Sequence, residues 1–390
     1  NLSWRVAFGM EAIIVVIVLL SSGLLVDAPK VVPTPKLDVT GVVLSASGLG
    51  MFVFGVLRTG QVGWSDPSVV ILIVGGLLVL GVFWWWISRR EARGEPALVH
   101  PSIFRHRAIN AGLPILSTQT FAQAGLLFLI PVFTQSVLGF DAFETGLTLL
   151  PLSIGVLVTS TLTPPLGRRI YPKYIIQAGL VLLFVGGYVL AQSLDGATEG
   201  SDMALGLLLG GIAIGLIAGQ LPNLILSGVE QNEASEASGL QGTSQNLGMA
   251  LGTAVIGTVI LSVALTSIGN QVEASDTLPS DTKDDIAAAV QKPFEQADAG
   301  KLEDELAGLS AEDQAELQGI YDTGTLRGFQ GAILAGGLVA LLGAALAFRL
   351  PKRKLEDDGT PETTVKEVVR NPTIPAVQLE MDDLSKPTAS

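Results

Sequence analysis

Long apolar runs separated by short polar segments occupy most of the chain. A bilayer core about 30 Å thick needs roughly 20 apolar residues of helix to cross it. The fourth run contains Pro114 and Pro131, and we interpret it as one kinked helix because neighbouring helices and water satisfy the carbonyls that proline frees. The pattern predicts an all-α polytopic membrane protein with nine transmembrane helices, at Arg5–Val26, Asp38–Leu57, Val69–Ser88, Ala108–Ser136, Thr145–Thr163, Tyr174–Gln192, Met203–Leu226, Leu240–Thr266 and Gly328–Phe348.

Lysine and arginine are unevenly distributed between the loops. RREARGEPALVHPSIFRHR, PPLGRRIYPK and RLPKRK follow the third, fifth and ninth spans, whereas the short opposite loops RTGQVGWSDP, SVLGFDAFET and SLDGATEGSD hold one basic residue. Because cytoplasmic loops are enriched in basic residues, we expect the C-terminus in the cytoplasm and residue 1 outside the cell membrane. The first run is predicted to be a span and not a signal peptide, since it is too long and no A-x-A-like site follows it.

Two long segments are polar. Residues 267–327 are strongly acidic and are predicted to form an extracytoplasmic loop with helical patches. Ser310 and Asp313 have the spacing of a capping box, so a helix is expected to begin there, and Gly324 is expected to end one. Residues 350–390 lack periodicity and are predicted to be a disordered cytoplasmic tail.

Composition supports a membrane protein and limits its chemistry. The chain is 48% hydrophobic and 15% charged, with a mean hydropathy of +0.52. A net charge of −13 argues against nucleic acid as a partner. The absence of cysteine excludes disulfides and thiolate chemistry, and His100 and His106 form no metal-ligand pattern with each other. No cofactor, metal site or catalytic residue is therefore predicted.

Several short sequences occur in an order that points to a transporter family. They are SWRVAF before the first span, LDVTGVVL, GWSDP and FRHRAINAG around the next three, then LLFLIPVFTQSVLGFDAFETGLTLLPLSIG and EASGLQGTSQNLGMALGTAVIGTVI. In this order they resemble the fourteen-span drug:proton antiporters of the major facilitator superfamily, over about residues 3–265.

This resemblance implies a major facilitator fold, in which two six-helix bundles rock around a central site. The nine spans would correspond to spans six to fourteen, and about five helices would precede residue 1. The implied organisation is the last helix of the N-terminal bundle at 1–26, two linker helices with cytoplasmic loops at 27–107, the first five helices of the C-terminal bundle at 108–266, the acidic loop at 267–327, the last helix at 328–349 and the tail at 350–390.

Glu11 is the one carboxylate that lies well inside a predicted span. A charge within a membrane costs roughly 3 kcal/mol on insertion scales, so Glu11 is a candidate proton carrier. The alternative is that Glu11 lies within two turns of the outer surface and reaches water. The family that the chain resembles usually has Asn at this position, which argues against a family-wide role.

Amide side chains are candidates for lining a substrate cavity. Gln119 and Gln123 share one face of the fourth span, and Gln220 and Asn223 flank Pro222 in the seventh. Uncharged amides can hold a substrate without burying charge. The alternative is hydrogen bonding between helices, worth about 0.6–2 kcal/mol for each bond. That alternative is favoured for three amides near the cytoplasmic end of the eighth span, Gln241, Gln245 and Asn246.

Gly248 and Gly252 form a G-x-x-x-G sequence in the eighth span, and helix packing is the favoured interpretation because small residues let helices approach closely. Arg168, Arg169 and Lys173 follow the fifth span. They are candidates for a latch that holds one conformation, and an anchor that follows the positive-inside rule explains them equally well.

Three classes of function differ in the residues that they require. A secondary transporter that exports drugs or other amphipathic small molecules in exchange for protons fits the resemblance and the absence of a Walker-type nucleotide motif. An intramembrane enzyme needs paired Asp, Ser/His or metal-ligand sets inside the bilayer, and the sequence contains none. A non-transporting membrane receptor or scaffold, or an exporter of one metabolite, stays open.

Overall fold

Eleven α-helices make up the described part of the chain in the computed structural model, and that part contains no β-strand. The structure describes residues 5–21, 37–64, 66–230, 233–275, 283 and 311–352, with the side chains at 5–7, 61 and 311–312 excepted. The helices are α1 (Arg5–Ser21), α2 (Val39–Val62), α3 (Pro67–Ala92), α4 (Arg107–Ser136), α5 (Ala142–Thr148), α6 (Leu150–Arg169), α7 (Pro172–Ser193), α8 (Ala204–Ala218), α9 (Leu221–Leu226), α10 (Ala234–Ala274) and α11 (Ala311–Leu346). Short 3-10 helices occupy Pro101–Arg105, Gly200–Met203 and Ala347–Arg349.

The predicted polytopic all-α membrane fold is confirmed. Eight spans within the described residues are long and apolar enough to cross a bilayer, and they correspond to the second to ninth predicted spans. In α1 the apolar stretch Phe8–Ser21 is shorter, and the remainder of the predicted first span lies outside the described residues. The fourth span runs as one helix, α4, through Pro114 and Pro131.

The helices form a pair and a bundle that touch through α10. In the pair, α2 packs along α3. In the bundle, α4 packs against α10 and α11, α7 packs against α8 and α11, and α6 packs against α8, while α2 contacts α10. The bundle has an apolar centre, where the rings of Phe133 and Phe329 meet edge to face with centroids 5.2 Å apart. The outer surfaces of the helices carry many exposed apolar side chains, as contact with lipid requires, and the first turns of α10 are exposed on the side away from α4.

Two predicted spans are interrupted. The predicted span Thr145–Thr163 is divided, because α5 ends at Thr148 and α6 begins at Leu150. The predicted span Met203–Leu226 is divided between α8 and α9. The second break has a local cause, because Pro222 has no N–H to donate to the carbonyl four residues before it.

The helices on both sides of the predicted acidic loop extend into it: α10 continues to Ala274 and α11 is described from Ala311. Helical patches are predicted in this segment, and its extracytoplasmic position with boundaries at 267 and 327 stays a prediction. The prediction that Gly324 ends a helix is wrong, because Gly324 lies inside α11. A Cβ atom at Gly324 would lie 3.2 Å from Ile268 Cδ1, so this glycine allows α11 to approach α10. Ser310 and residues 353–390 of the predicted tail lie outside the described residues.

Candidate functional site

A pair of amide side chains lies on α4. Gln119 is buried and Gln123 is half-buried. Gln119 Nε2 donates a hydrogen bond to Gln123 Oε1 over 2.6 Å, so the two side chains share a helix face as their spacing predicts. Because this bond joins two residues of one helix, it does not itself tie α4 to a neighbour.

The break between α8 and α9 contains a fully buried amide. Gln220 has a relative exposure of 0%, and its Nε2 donates to the carbonyl oxygen of Thr163 in α6. Its Oε1 has no hydrogen-bond partner among the described residues. Gly167 makes room for it, since a Cβ atom there would lie 2.5 Å from Gln220 Oε1. Asn223, the second amide predicted for this span, is exposed on α9.

Polar side chains at the start of α10 bond to its neighbours. Gln241 Nε2 donates to the carbonyl oxygen of Pro222 over 3.0 Å. Ser244 Oγ donates to the carbonyl oxygen of Leu113 over 2.7 Å and lies 2.8 Å from Ser117 Oγ. These bonds fix the first turns of α10 against α9 and α4.

The two glycines of the G-x-x-x-G sequence lie at the contact between α10 and α4. A Cβ atom at Gly248 would lie 2.5 Å from the carbonyl oxygen of Ser117, and one at Gly252 would lie 2.9 Å from the Cα atom of Phe121. The obstructing atoms belong to the backbone, so no side-chain rotation could relieve the overlap. Only glycine permits this separation of α4 and α10.

The face of α10 opposite α4 is exposed, and it carries polar side chains in its first turns followed by the apolar Met249. Ser238, Thr243 and Asn246 are exposed along this face. The positions that pack against the bundle recur every three or four residues and are buried, namely Ala237, Gln241, Ser244, Gly248 and Gly252.

Thr243 and Asn246 lie within the predicted span. Thr243 Oγ1 and Asn246 Nδ2 each donate to a carbonyl one turn back in α10, of Gly239 and Gly242 respectively. Polar side chains in a membrane helix usually face another part of the protein or a water-filled cavity.

The three basic residues proposed as a latch lie at the facing ends of α6 and α7. Arg168 and Arg169 are exposed in the last turn of α6. Lys173, in the first turn of α7, is only 7% exposed, and its Nζ donates to the carbonyl oxygen of Phe348. The structure therefore separates Lys173, which binds the end of the last span, from the two arginines at the surface.

Glu11 lies on α1, and its side chain is exposed. The apolar side chains around it are exposed as well, including those of Met10 and Ile13. The structure therefore places Glu11 on an open helix face and does not bring it together with the other candidate residues on α4, α8 or α10.

Two histidine–carboxylate pairs connect the segment between α3 and α4 to the start of α10. His100 Nδ1 lies 2.6 Å from Glu236 Oε1, and the His100 backbone N–H donates to Glu236 Oε2 over 3.0 Å. His106 Nε2 lies 3.1 Å from Glu233 Oε2. Neither pair is predictable from the sequence, because the partners are far apart in the chain and no local spacing marks them.

The segment between α3 and α4 is also held by Asp38, the N-cap residue of α2. The Asp38 carboxylate accepts hydrogen bonds from the Gly41 N–H, the Trp86 indole and the Leu98 N–H, and lies 3.6 Å from Arg90 Nη1. Burial alone would raise the pKa of Asp38, but these bonds and the guanidinium lower it below its ordinary value of 3.8. A lowered pKa stabilises the fold above the ordinary value, so this contact persists at neutral pH and is lost only as the solution becomes strongly acidic.

Comparison with known proteins agrees with this architecture. Residues 36–253 match the family model of the Major Facilitator Superfamily. The chain is 27% identical over 384 residues to the "Probable actinorhodin transporter" of Streptomyces coelicolor, covering 91% of this chain and 66% of that protein. It is 30% identical over 264 residues to the "Cephamycin export protein CmcT" of Amycolatopsis lactamdurans, covering 66% of this chain and 53% of that protein.

A further relative is the "Multidrug resistance protein Stp" of Mycobacterium tuberculosis. It is 28% identical over 225 residues, which are 58% of this chain and 41% of that protein. The chain thus spans between about two fifths and two thirds of the length of these curated relatives.

Proposed function

This chain belongs to the major facilitator superfamily, and from that membership we propose that it works as a secondary transporter that exports antibiotics or other amphipathic small molecules. Export is driven by exchange for protons, and the bundle formed by α4 to α11 moves by alternating access. Relatives whose names refer to antibiotic export, transport or resistance support this substrate class. We also propose that the transporter is of the fourteen-span type, and that the eight described spans correspond to its spans seven to fourteen.

One structural observation carries the proposal, namely the exposed polar face of α10 within a membrane-spanning bundle. A helix surrounded by lipid presents mainly apolar side chains, whereas Thr243 and Asn246 are exposed in the first turns of the predicted eighth span. A second bundle or an aqueous path facing α10 accounts for this polarity. In a rocking mechanism, that face alternates between water and protein.

The candidate residues receive distinct roles in this proposal. The Gln119–Gln123 pair holds the substrate by neutral hydrogen bonds, and the exposed Asn223 adds a second amide at the break between α8 and α9. Gln220 is buried in this conformation, so it would reach substrate only when the break rearranges. Glu11 carries the proton. Three basic residues at the ends of α6 and α7 stabilise one conformation, and we propose that they lie on the cytoplasmic side. They are Arg168, Arg169 and Lys173.

Transport in inverted membrane vesicles tests the proposal. The vesicles are prepared from cells that express the complete gene encoding this chain, and they are given an acidic interior and a fluorescent amphipathic cation. One proton exchanged per cation supports up to about tenfold accumulation for each pH unit of gradient. We expect accumulation that disappears when an ionophore collapses the gradient. The proposal of a proton-coupled exporter would be contradicted by either of two results. One is the same accumulation of the cation with and without the gradient, and the other is accumulation equal to that in vesicles lacking the protein.

A further inference from the structure

A basic cleft opens between the ends of α4, α7 and α11. It has a volume of about 590 Å³, which lies within the range of small-molecule sites. Four cationic side chains of the described residues line it, namely Arg107, Lys173, Arg349 and Lys352, and no acidic side chain of that part of the chain does. None of the four forms an ion pair within the described part of the chain.

The positive charge of the cleft is reinforced by its position. Arg107 begins α4 and Lys173 lies in the first turn of α7, and neither helix has a side-chain cap. The N-terminus of a helix carries a partial positive charge and free N–H groups, which favour an anion. The Lys173 ammonium has three N–H donors and gives one to the Phe348 carbonyl, so two stay available.

Aromatic and apolar residues place this cleft at the level of the lipid headgroups. Phe348 borders the cleft and is 73% exposed, with its ring centroid 5.9 Å from Lys173 Nζ. Tyr171 and Tyr174 are exposed at the start of α7, and such amphipathic rings concentrate at the membrane–water interface. A soluble anion would gain nothing from the exposed Phe348 ring, whereas the acyl chains of a lipid would cover it.

We propose that this cleft binds the phosphodiester headgroup of an anionic phospholipid. The two arginines and Lys352 contact the phosphate oxygens from the rim, and Lys173 contacts them from the floor, while the acyl chains lie against Phe348. The lipid thereby joins the start of α4 to the end of α11 and favours the conformation in which these ends are close. This inference rests on the proposed function only for the choice of leaflet, which we take to be the cytoplasmic one.

Native mass spectrometry of the purified protein with added phosphatidylglycerol tests this site. The variant Arg107→Gln/Arg349→Gln removes two exposed cleft charges, so it should fold normally, which circular dichroism verifies. A basic residue near a membrane surface contributes about fivefold to the affinity for anionic lipid, so we expect the variant to bind about 25-fold more weakly. Phosphatidylcholine should bind more weakly than phosphatidylglycerol, and millimolar inorganic phosphate should not displace the bound lipid.

The matched control is Arg89→Gln/Arg93→Gln, which removes two exposed arginines at the end of α3, outside the cleft. This control should bind phosphatidylglycerol within about threefold of the unmodified protein. If both variants bind phosphatidylglycerol equally weakly, the proposal is overturned, because the lipid would then be attracted by the overall charge of the protein and not by a site. Displacement by inorganic phosphate would also overturn it in favour of a soluble anion. Neither result depends on transport, so this proposal and that of proton-coupled export can fail separately.

Discussion

Replacing Gly252 by alanine is expected to destabilise the bundle by about 2–3 kcal/mol and to remove most of the folded protein from the membrane. The added Cβ atom would lie 2.9 Å from Phe121 Cα and 3.0 Å from the Phe121 carbonyl carbon. Because these atoms belong to the backbone of α4, the two helices must separate, and overpacking of this kind usually costs about 1–3 kcal/mol. Separation would also strain the neighbouring bonds of Ser244 to α4. Size-exclusion chromatography of the solubilised variant, combined with its melting temperature, measures the effect.

Gly257→Ala is the matched control, in the same helix and with the same added atom. The nearest atom to its Cβ would be Phe128 Cε1 at 3.8 Å, an ordinary contact with an exposed ring. Alanine is favoured over glycine in a helix by about 1 kcal/mol, so this variant should be as stable as the unmodified protein or more so. If Gly252→Ala melts at the same temperature as Gly257→Ala, then α4 and α10 do not approach as closely as the structure shows.

Replacing Glu11 by glutamine is expected to abolish proton-driven efflux while leaving the protein folded. Glutamine keeps the size and polarity of the side chain but cannot carry a proton. Removing a charge from a membrane helix also favours insertion, by roughly 3 kcal/mol on insertion scales, so loss of transport would not reflect loss of protein. Accumulation of the fluorescent cation in the inverted vesicles, measured at several values of the pH gradient, gives the dependence on protons.

Glu144→Gln provides the control for this experiment. Glu144 forms the capping box of α5 with Asp141, and glutamine fills the same position in such boxes. This variant should therefore transport normally. If Glu11→Gln shows the same dependence on the gradient as Glu144→Gln, then Glu11 is not the carrier and the proton must move through another group.

The sequence was sufficient to predict the spans because lipid imposes one strong constraint on helix composition. The predicted Ala108–Ser136 differs from the observed α4 by one residue, despite two prolines inside it. Helix ends outside the membrane were less predictable. The hydropathy pattern marks only the part of a helix that lies in lipid, whereas α10 continues beyond the predicted span to Ala274. Its last turns, up to Ala274, are held by packing of Ile268 and Val272 against α11, which a local pattern does not show.

The candidate site was predictable in residue type but not in arrangement. The i, i+4 spacing placed Gln119 and Gln123 on one face, since that follows from helix geometry alone. The break that buries Gln220 was indicated only by Pro222, and prolines inside α4 did not break that helix. The pairing of His100 with Glu236 depends on tertiary structure, so no spacing within the sequence could have indicated it.

The central claim is that the polar face of α10 borders an aqueous transport path, and labelling of a single cysteine tests it directly. The chain has no native cysteine, so Asn246→Cys and Leu338→Cys each carry one thiol. Both positions are exposed, but Leu338 lies among apolar side chains on α11, where lipid is expected. We predict that a water-soluble maleimide labels Asn246→Cys in intact membranes, that an exported compound slows this labelling, and that Leu338→Cys stays unlabelled. Equal labelling of the two thiols, or protection of Asn246→Cys from all water-soluble reagents, would contradict the claim.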